Sequence, residues 1–590
     1  MKILKSAVSL LALSIYPVTT IASSATSAES CISTTATTKA DLAIPPYIAP
    51  LMFRQGKVLP VIKDSPTNPN NTPVMDVNGC CSSKPIGGMP QMTTEQSVHI
   101  LSDANQGWNN GNGEWTQMTL AKRITAIENF LLTLQESRDE IVKALMFEIG
   151  KNYNDAASEF DRTIIFIQET IKTIQSIPDF DSNFKKMNGV NVFIRRNAFG
   201  IVLALGPYNY PLNETYATII PALLMGNVVI LKIPQIGGLA HLLTFEAFAK
   251  ALPKNTIHFI SGSGRITLPP LMESGDINGL AFIGGTRAAD LLIKQHPEPH
   301  RLKLFLQLEA KNMAIVLKDM VETNADADAD AEVEQSYSTS QMFDEIVTGA
   351  LSYNGQRCTA LKIIFVPKGY GKFVAEEISK RVDGLYKGMP WEIHDEKKYS
   401  QITPLPNEQR VEFMQELLND ARSKGATVAN QDGGKIINGS KYAEPHDASK
   451  LMIPAVLYNI TPDMKLYREE QFGPLIPIVE YESIEEVLQY GLTGVSGLQV
   501  AFFTNQASQE AIQIVDTFSA VFGKININSQ CGRSPDSVPF TARRSSGQGV
   551  MSIESALKEF SIPTVVSFKH DGSKDVADGI RKKSKFMQPL

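Results

Sequence analysis

The run Asn354-Gly355-Gln356-Arg357-Cys358-Thr359 sets a thiol between an arginine and a hydroxyl residue, directly after a polar, glycine-containing turn. A thiol in a loop that a ligand can reach becomes a nucleophile once it loses its proton, and a neighbouring cation favours that loss. A lone cysteine also serves as a small core residue, and the local composition does not choose between the two. The remaining cysteines are Cys31, Cys80, Cys81 and Cys531, and none of them completes a metal-ligand spacing. The total of five is odd and irregularly spaced, which speaks against a disulfide framework. The 8 histidines show no HExxH-type pairing, so no metal is expected. No histidine neighbours Cys358 in sequence, which leaves a Cys-His hydrolase poorly supported.

Several elements must position this thiol. Apolar positions at Leu120, Ile124, Ile127 and Leu131 predict a helix beginning near Trp115, and Ile164, Ile165, Ile167 and Ile171 predict another. From residue 199 the pattern alternates between short apolar runs, at 201–205, 228–231, 257–260, 280–283 and 304–308, and amphipathic stretches. That alternation predicts βαβ units and a parallel sheet, with ligands bound at the carboxyl ends of the strands. A second alternation, from about 340 to 530, predicts another α/β domain. Between them, alternating Ala and Asp over 324–331 reads as a solvated insertion, because it lacks the glycine and terminal glutamate of a calcium loop.

A net charge of −6 over 590 residues leaves no basic footprint for nucleic acid. Residues 1–28 carry Lys2 and Lys5, then an apolar run, then small residues, in the order of a secretory signal peptide too short for a stable membrane span. Such a segment leads into the secretory pathway, or into an organelle such as a plastid when a transit sequence follows. Residues 29–95, rich in Pro, Asn, Ser, Thr and Gly, are expected to be an irregular extension.

The motifs resemble, in order, those of the aldehyde dehydrogenase superfamily over roughly residues 95–570. The run ending at Cys358 is similar to its nucleophile motif. Gly206-Pro207-Tyr208-Asn209-Tyr210-Pro211 looks like the segment whose asparagine amide forms the oxyanion hole. Val229-Ile230-Leu231-Lys232 resembles the strand whose lysine contacts the adenosine ribose, and Phe282-Ile283-Gly284-Gly285-Thr286 the turn before a cofactor-packing helix. Glu469-Glu470-Gln471-Phe472-Gly473-Pro474 matches the segment whose second glutamate holds the nicotinamide ribose. The resemblance implies an α/β fold with a Rossmann-type cofactor domain (96–178 and 199–306), an α/β catalytic domain (307–555) and a small bridging β element (179–198 and 556–575). It also implies catalysis by Cys358 with Asn209 at the oxyanion. Pro207, Lys232, Gln235, Gly285, Glu470 and Phe472 would contact the cofactor, and the assembly would be a homodimer or homotetramer.

Gln530-Cys531-Gly532-Arg533-Ser534-Pro535-Asp536 looks like the branch of non-phosphorylating glyceraldehyde-3-phosphate dehydrogenases, in which arginines bind the substrate phosphate; Arg357 and Arg533 match such positions. Gln235 stands where NAD-preferring relatives often carry glutamate, and a neutral residue removes repulsion toward a 2′-phosphate, so NADP is expected, with NAD as the alternative.

One motif departs from the pattern. In Gln307-Leu308-Glu309-Ala310-Lys311 the position of the water-activating glutamate holds Gln307, and the two usual glycines are Glu309 and Ala310. A glutamine orients water but cannot take its proton. Glu309 could replace it as base, either from ~6–7 Å along the same strand face or through a bulge that restores it to the site. Otherwise a thiol such as coenzyme A accepts the acyl group, or the chain is an impaired enzyme that mainly binds its cofactor. Asn70, Asn213, Asn438 and Asn459 begin sequons, of which Asn213, beside the oxyanion segment, is an improbable glycan site.

Overall fold

Runs of Val, Ile and Leu in this chain form strands buried on both faces, as in parallel sheets covered by helices. A computed structural model describes residues 47–62, 72–80, 85–177, 183–322, 337–395, 398–437 and 450–588, all within the unit Ile44–Leu590. The signal-like segment 1–28, the Ala-Asp run 324–331, Asn70 and Asn438 lie outside the described residues.

The first sheet runs in the order Gly547–Gln548, Lys303–Gln307, Ile277–Ile283, Ile201–Leu205, Val228–Lys232, Ile257–Ile260. All its pairings are parallel except that of Gly547–Gln548. The chain builds outward from Ile201–Leu205 and then returns to lay Ile277–Ile283 on its other side. A crevice opens where the direction reverses, beyond the carboxyl ends of those strands, and this is where such sheets bind ligands. Gly206-Pro207 and Gly284-Gly285 lead out of those two strands.

The second sheet runs Thr427–Val428, Ala455–Tyr458, Leu475–Tyr481, Ile363–Pro367, Met313–Val316, Gln499–Phe503, Lys524–Ile527, with only the Thr427–Val428 edge antiparallel. Residues 308–312 lead into it from the first sheet, and residues 528–546 return from it to the Gly547–Gln548 edge strand. One large cavity is lined by residues at the carboxyl ends of the first sheet (Pro207, Pro234, Gly284, Gln307). It is closed by residues preceding strands of the second (Lys311, Cys358, Phe472, Ser496, Phe522). A third sheet pairs Ile562–Phe568 antiparallel with Val190–Asn197, from Ile562 opposite Asn197 to Phe568 opposite Asn191, and adds Lys185–Met187. It is a small sheet separate from the other two.

Four expectations need correction. Residues 29–95 are not all irregular: Leu51–Arg54 pairs with Lys57–Pro60, and Val74–Asn78 with Pro85–Pro90. The first hairpin closes through Gln55 and Gly56 at φ 51° and 75°, the left-handed pair that a two-residue turn requires. Phe53, Val77, Ile86 and Met89 join the main core, so polar composition hid buried strand residues. Secondly, the segment 307–555 returns to the first sheet through Gly547–Gln548, with Gly547 opposite Gln307. Thirdly, the helix expected from Trp115 begins at Leu120 behind a Thr119 cap, and Trp115 is buried with its indole N–H donating to the Leu223 carbonyl (3.0 Å). Finally, Cys80 is disulfide-bonded, a single bridge that an odd cysteine count does not exclude, whereas Cys358 and Cys531 are free. No helix among the described residues is long and apolar enough to cross a membrane.

Candidate active site

The nucleophile turn is built from backbone that most side chains avoid. After the helix Thr339–Leu351, Tyr353, Asn354 and Gly355 all take positive φ (49°, 55° and 72°). Tyr353 donates its hydroxyl to the Ile149 carbonyl (2.8 Å). Asn354 donates to the Thr403 carbonyl (2.9 Å) and accepts from the Thr403 N–H (3.0 Å). A Cβ at residue 355 would lie 2.7 Å from the carbonyls of Ala350 and Gly473, so glycine is required. The Cys358 carbonyl then accepts from Asn312 Nδ2 (2.7 Å) and Lys362 Nζ (3.0 Å), which fixes the nucleophile's backbone. Burial pushes the Cys358 thiol up to about 12; Glu214 and Glu470 add to this, while Lys362 and Arg533 oppose it.

Asn209 is buried and donates through Nδ2 to the Gln356 carbonyl (2.7 Å), two residues before the thiol, while the Tyr208 hydroxyl donates to Gln356 Oε1 (2.9 Å). Its loop is clamped from below. Glu159 accepts from the N–H groups of Leu212 (2.9 Å) and Asn213 (3.3 Å) and is ion-paired with the fully buried Lys151. Lys151 in turn sits 3.4 Å from the centre of the Tyr210 ring, a cation–π contact that shields the pair from water.

Every residue singled out in the sequence lines the one cavity of about 1470 Å³ except Lys232. The Lys232 ammonium is buried, folds back on its own chain to donate to the Ile233 carbonyl (2.6 Å), and is pushed down to about 8 by burial. Pro207, Gln235, Gly285, Glu470 and Phe472 are at the wall. Lys362 ion-pairs with Glu470 (2.5 Å), and Lys311 donates to the Glu469 carbonyl (2.8 Å) and Gln471 Oε1 (2.7 Å), so two buried lysines hold the Glu469–Phe472 segment in place. Neither lysine was given a role from sequence, although Lys311 ends a motif that was quoted and Lys362 lies four residues after Cys358.

Gln307 ends the strand Lys303–Gln307, which pairs with Ile277–Ile283 without a register shift. No bulge therefore brings Glu309 to that position. Gln307 is buried, and its Nε2 has no hydrogen-bond partner. Glu309 lies beyond the strand, exposed, and its carboxylate accepts from the Thr286 N–H (3.3 Å) at the start of the helix Thr286–Gln295.

Arg357 and Arg533 both reach the cavity, and a third arginine that sequence reading missed, Arg162, stands with them. Arg162 makes a bidentate pair with Asp536 (2.7 and 3.1 Å), an interaction between residues far apart in the chain that no local pattern reveals. Among the described residues no cluster of His, Cys, Asp or Glu could hold a metal ion.

Two α/β sheets that enclose a cleft, with a loop cysteine and an asparagine amide held on the same backbone, define an oxidoreductase fold that handles carbonyl substrates. The chain belongs to the aldehyde dehydrogenase family, whose model matches residues 67–566. An NADP-dependent glyceraldehyde-3-phosphate dehydrogenase of Streptococcus equinus is 30% identical over 481 residues, covering 80% of this chain and 91% of that protein. The enzyme of the same name from Pisum sativum is 29% identical over 79% of this chain and 86% of its own length. The structure of NADP-dependent glyceraldehyde-3-phosphate dehydrogenase from Bacillus halodurans C-125, complexed with NADP, superposes with a TM-score of 0.72 at 25% identity, over 88% of this chain and 99% of that one.

Proposed function

We propose that this chain oxidises a small polar aldehyde to the carboxylic acid with NADP, through a thiohemiacetal and then a thioester on Cys358. The observation that carries the reading is the convergence of Cys358, Asn209, Gln307 and Glu470 on one cavity between the two sheets. A dinucleotide fits the residues present. Gly284 and Gly285 leave the crevice wall free of side chains, the cavity is large, and Gln307 Nε2 is a buried donor with no acceptor of its own. Pro207, Gly285, Phe472 and Glu470 would hold it, with neutral Gln235 beside the ribose that carries the 2′-phosphate. This neutrality and the NADP-dependent relatives support NADP; Lys232, turned away from the cavity, does not contribute.

When bound, NADP supplies the hydride acceptor. The rest belongs to this chain. The Cys358 sulfur attacks the aldehyde carbon after a base takes its proton, since burial keeps the thiol protonated near neutral pH. The Asn209 amide has a second N–H beyond the one donated to Gln356, and that donor stabilises the alkoxide, a type of contribution worth about 3–4 kcal/mol. Gln307 orients the water that cleaves the thioester but cannot deprotonate it, so deacylation is the slow step. Arg162, Arg357 and Arg533 make glyceraldehyde 3-phosphate the first aldehyde to assay. We further propose that residues 1–28 act as a targeting signal and that the strand Ile562–Phe568 mediates self-association.

The test is NADPH formation by the purified protein with glyceraldehyde 3-phosphate. Wild type is expected to turn over and Cys358→Ala to lose activity by at least roughly a thousandfold while still binding NADP. Equal activity in both proteins would end the covalent reading.

A further inference from the structure

At the substrate end of the cavity the three arginines are not free cations. Asp536 lies off the cavity wall and holds both Arg162 and the Arg533 Nε (3.1 Å). Glu214 lies on the wall itself, and its carboxylate forms an ion pair with Arg533 Nη1 at 2.8 Å, with side-chain exposures of 13% and 5%. Arg533 Nη1 also reaches Asn213 Oδ1 (3.2 Å), while Nη2 has no hydrogen-bond partner. Arg357 gives Nη2 to the Gly349 carbonyl (3.0 Å) and to Gln530 Oε1 (3.2 Å), and its Nε is likewise unused. Buried guanidinium N–H groups without acceptors, on the wall of a cavity, point to an acceptor carried by the ligand.

The charges decide which acceptor is tolerated. Arg162 and Arg533 are paired with Asp536 and Glu214, and the Asp155 carboxylate lies in the field of Arg357, so the cluster holds little uncompensated positive charge. A phosphate dianion seated on Arg533 would share that guanidinium with Glu214 in a poorly solvated site, where like charges repel strongly. A hydroxyl or a singly charged group would not meet the same penalty. We propose that Glu214 is a specificity-determining residue that weakens the grip of the arginine cluster on doubly charged phosphate tails and so opens the site to aldehydes with uncharged, hydroxylated tails. Glu214 also favours the first turn of the helix Asn213–Leu224 by its position, but that role needs no contact with Arg533. Its place near the reacting sulfur is consistent with its being the foremost of the charges that act on the Cys358 thiol, after burial.

This inference rests on the dehydrogenase reading, and the experiment separates the two. Steady-state kinetics with glyceraldehyde 3-phosphate and with glyceraldehyde are compared between wild type and the isosteric Glu214→Gln. The account expects KM for the phosphorylated aldehyde to fall roughly tenfold while KM for glyceraldehyde changes less than about threefold. An unchanged ratio, or a higher KM for the phosphorylated aldehyde, overturns it by making Glu214 a support that aims Arg533. A second readout needs no turnover: protection of Cys358 from iodoacetamide by inorganic phosphate. The concentration giving half protection should drop by a similar factor in Glu214→Gln, and equal protection in both proteins would also overturn the proposal. Absence of oxidation of either aldehyde by either protein would count against the dehydrogenase reading alone, leaving the protection assay to decide the role of Glu214.

Discussion

At the scale of single residues, the chemistry turns on what stands at three positions. Cys358 carries a thiol that burial raises, so in the cofactor-free protein its thiolate fraction is small and grows with pH. Alkylation of Cys358 should therefore climb roughly tenfold per pH unit from neutral pH upward with no plateau below pH ~9. Mass spectrometry of the Cys358 peptide measures this, and a plateau near neutral pH would reveal a preformed thiolate. Glu309 sets a carboxylate at the N-terminus of the helix Thr286–Gln295, on the cavity wall where anionic cofactor groups would approach. Glu309→Ala should bind NADP about tenfold tighter by calorimetry, a gain near 1.4 kcal/mol; weaker binding would make Glu309 a cofactor contact instead. Gln307 occupies the buried strand end at the cavity wall, with no carboxylate brought in by a bulge. The motif residues were legible because each lies in a short run with its own signature. Arg162 and Glu214 were not, because their meaning comes from Asp536 and Arg533, which are hundreds of residues away.

At the scale of elements, the parallel strands were legible from their apolar runs, since burial on both faces leaves no alternation to misread. The N-terminal hairpins were not. Their strands are only four to six residues long, and their turn uses Gln55-Gly56, which lacks the Asn-Gly signature of such turns. The helix Tyr153–Ser176 forms where the four isoleucines predicted one, but only Ile164, Ile167 and Ile171 share its buried face, while Ile165 is 57% exposed. The element that matters most for function is the positive-φ turn before Cys358. Gly355→Ala should cost about 2–4 kcal/mol of stability, from left-handed strain together with the contacts against the Ala350 and Gly473 carbonyls. Chemical denaturation measures it, and a loss below ~0.5 kcal/mol would show that the turn relaxes easily.

At the scale of the whole molecule, the cleft lies between two sheets joined by the short crossing 308–312 and the return 528–546, with the carboxyl ends of one turned toward the amino ends of the other. The third sheet stands apart from the cleft, and Ile194, Ile562 and Val565 on it are 39%, 49% and 56% exposed. Exposed apolar side chains in one small sheet suit contact with a second copy of the chain. If the proposed self-association uses this sheet, Val565→Asp lowers the mass seen by light scattering after size exclusion, and an unchanged mass would contradict that proposal. The central claim is that Cys358 is acylated efficiently and that Gln307 leaves the thioester slow to hydrolyse. The most direct test is a stopped-flow record of NADPH formation with glyceraldehyde 3-phosphate, comparing wild type with Gln307→Glu. A burst near one NADPH per Cys358 followed by slow turnover is expected, with the slow phase faster in Gln307→Glu; fast linear turnover in wild type, unaltered by the substitution, would rule out slow deacylation.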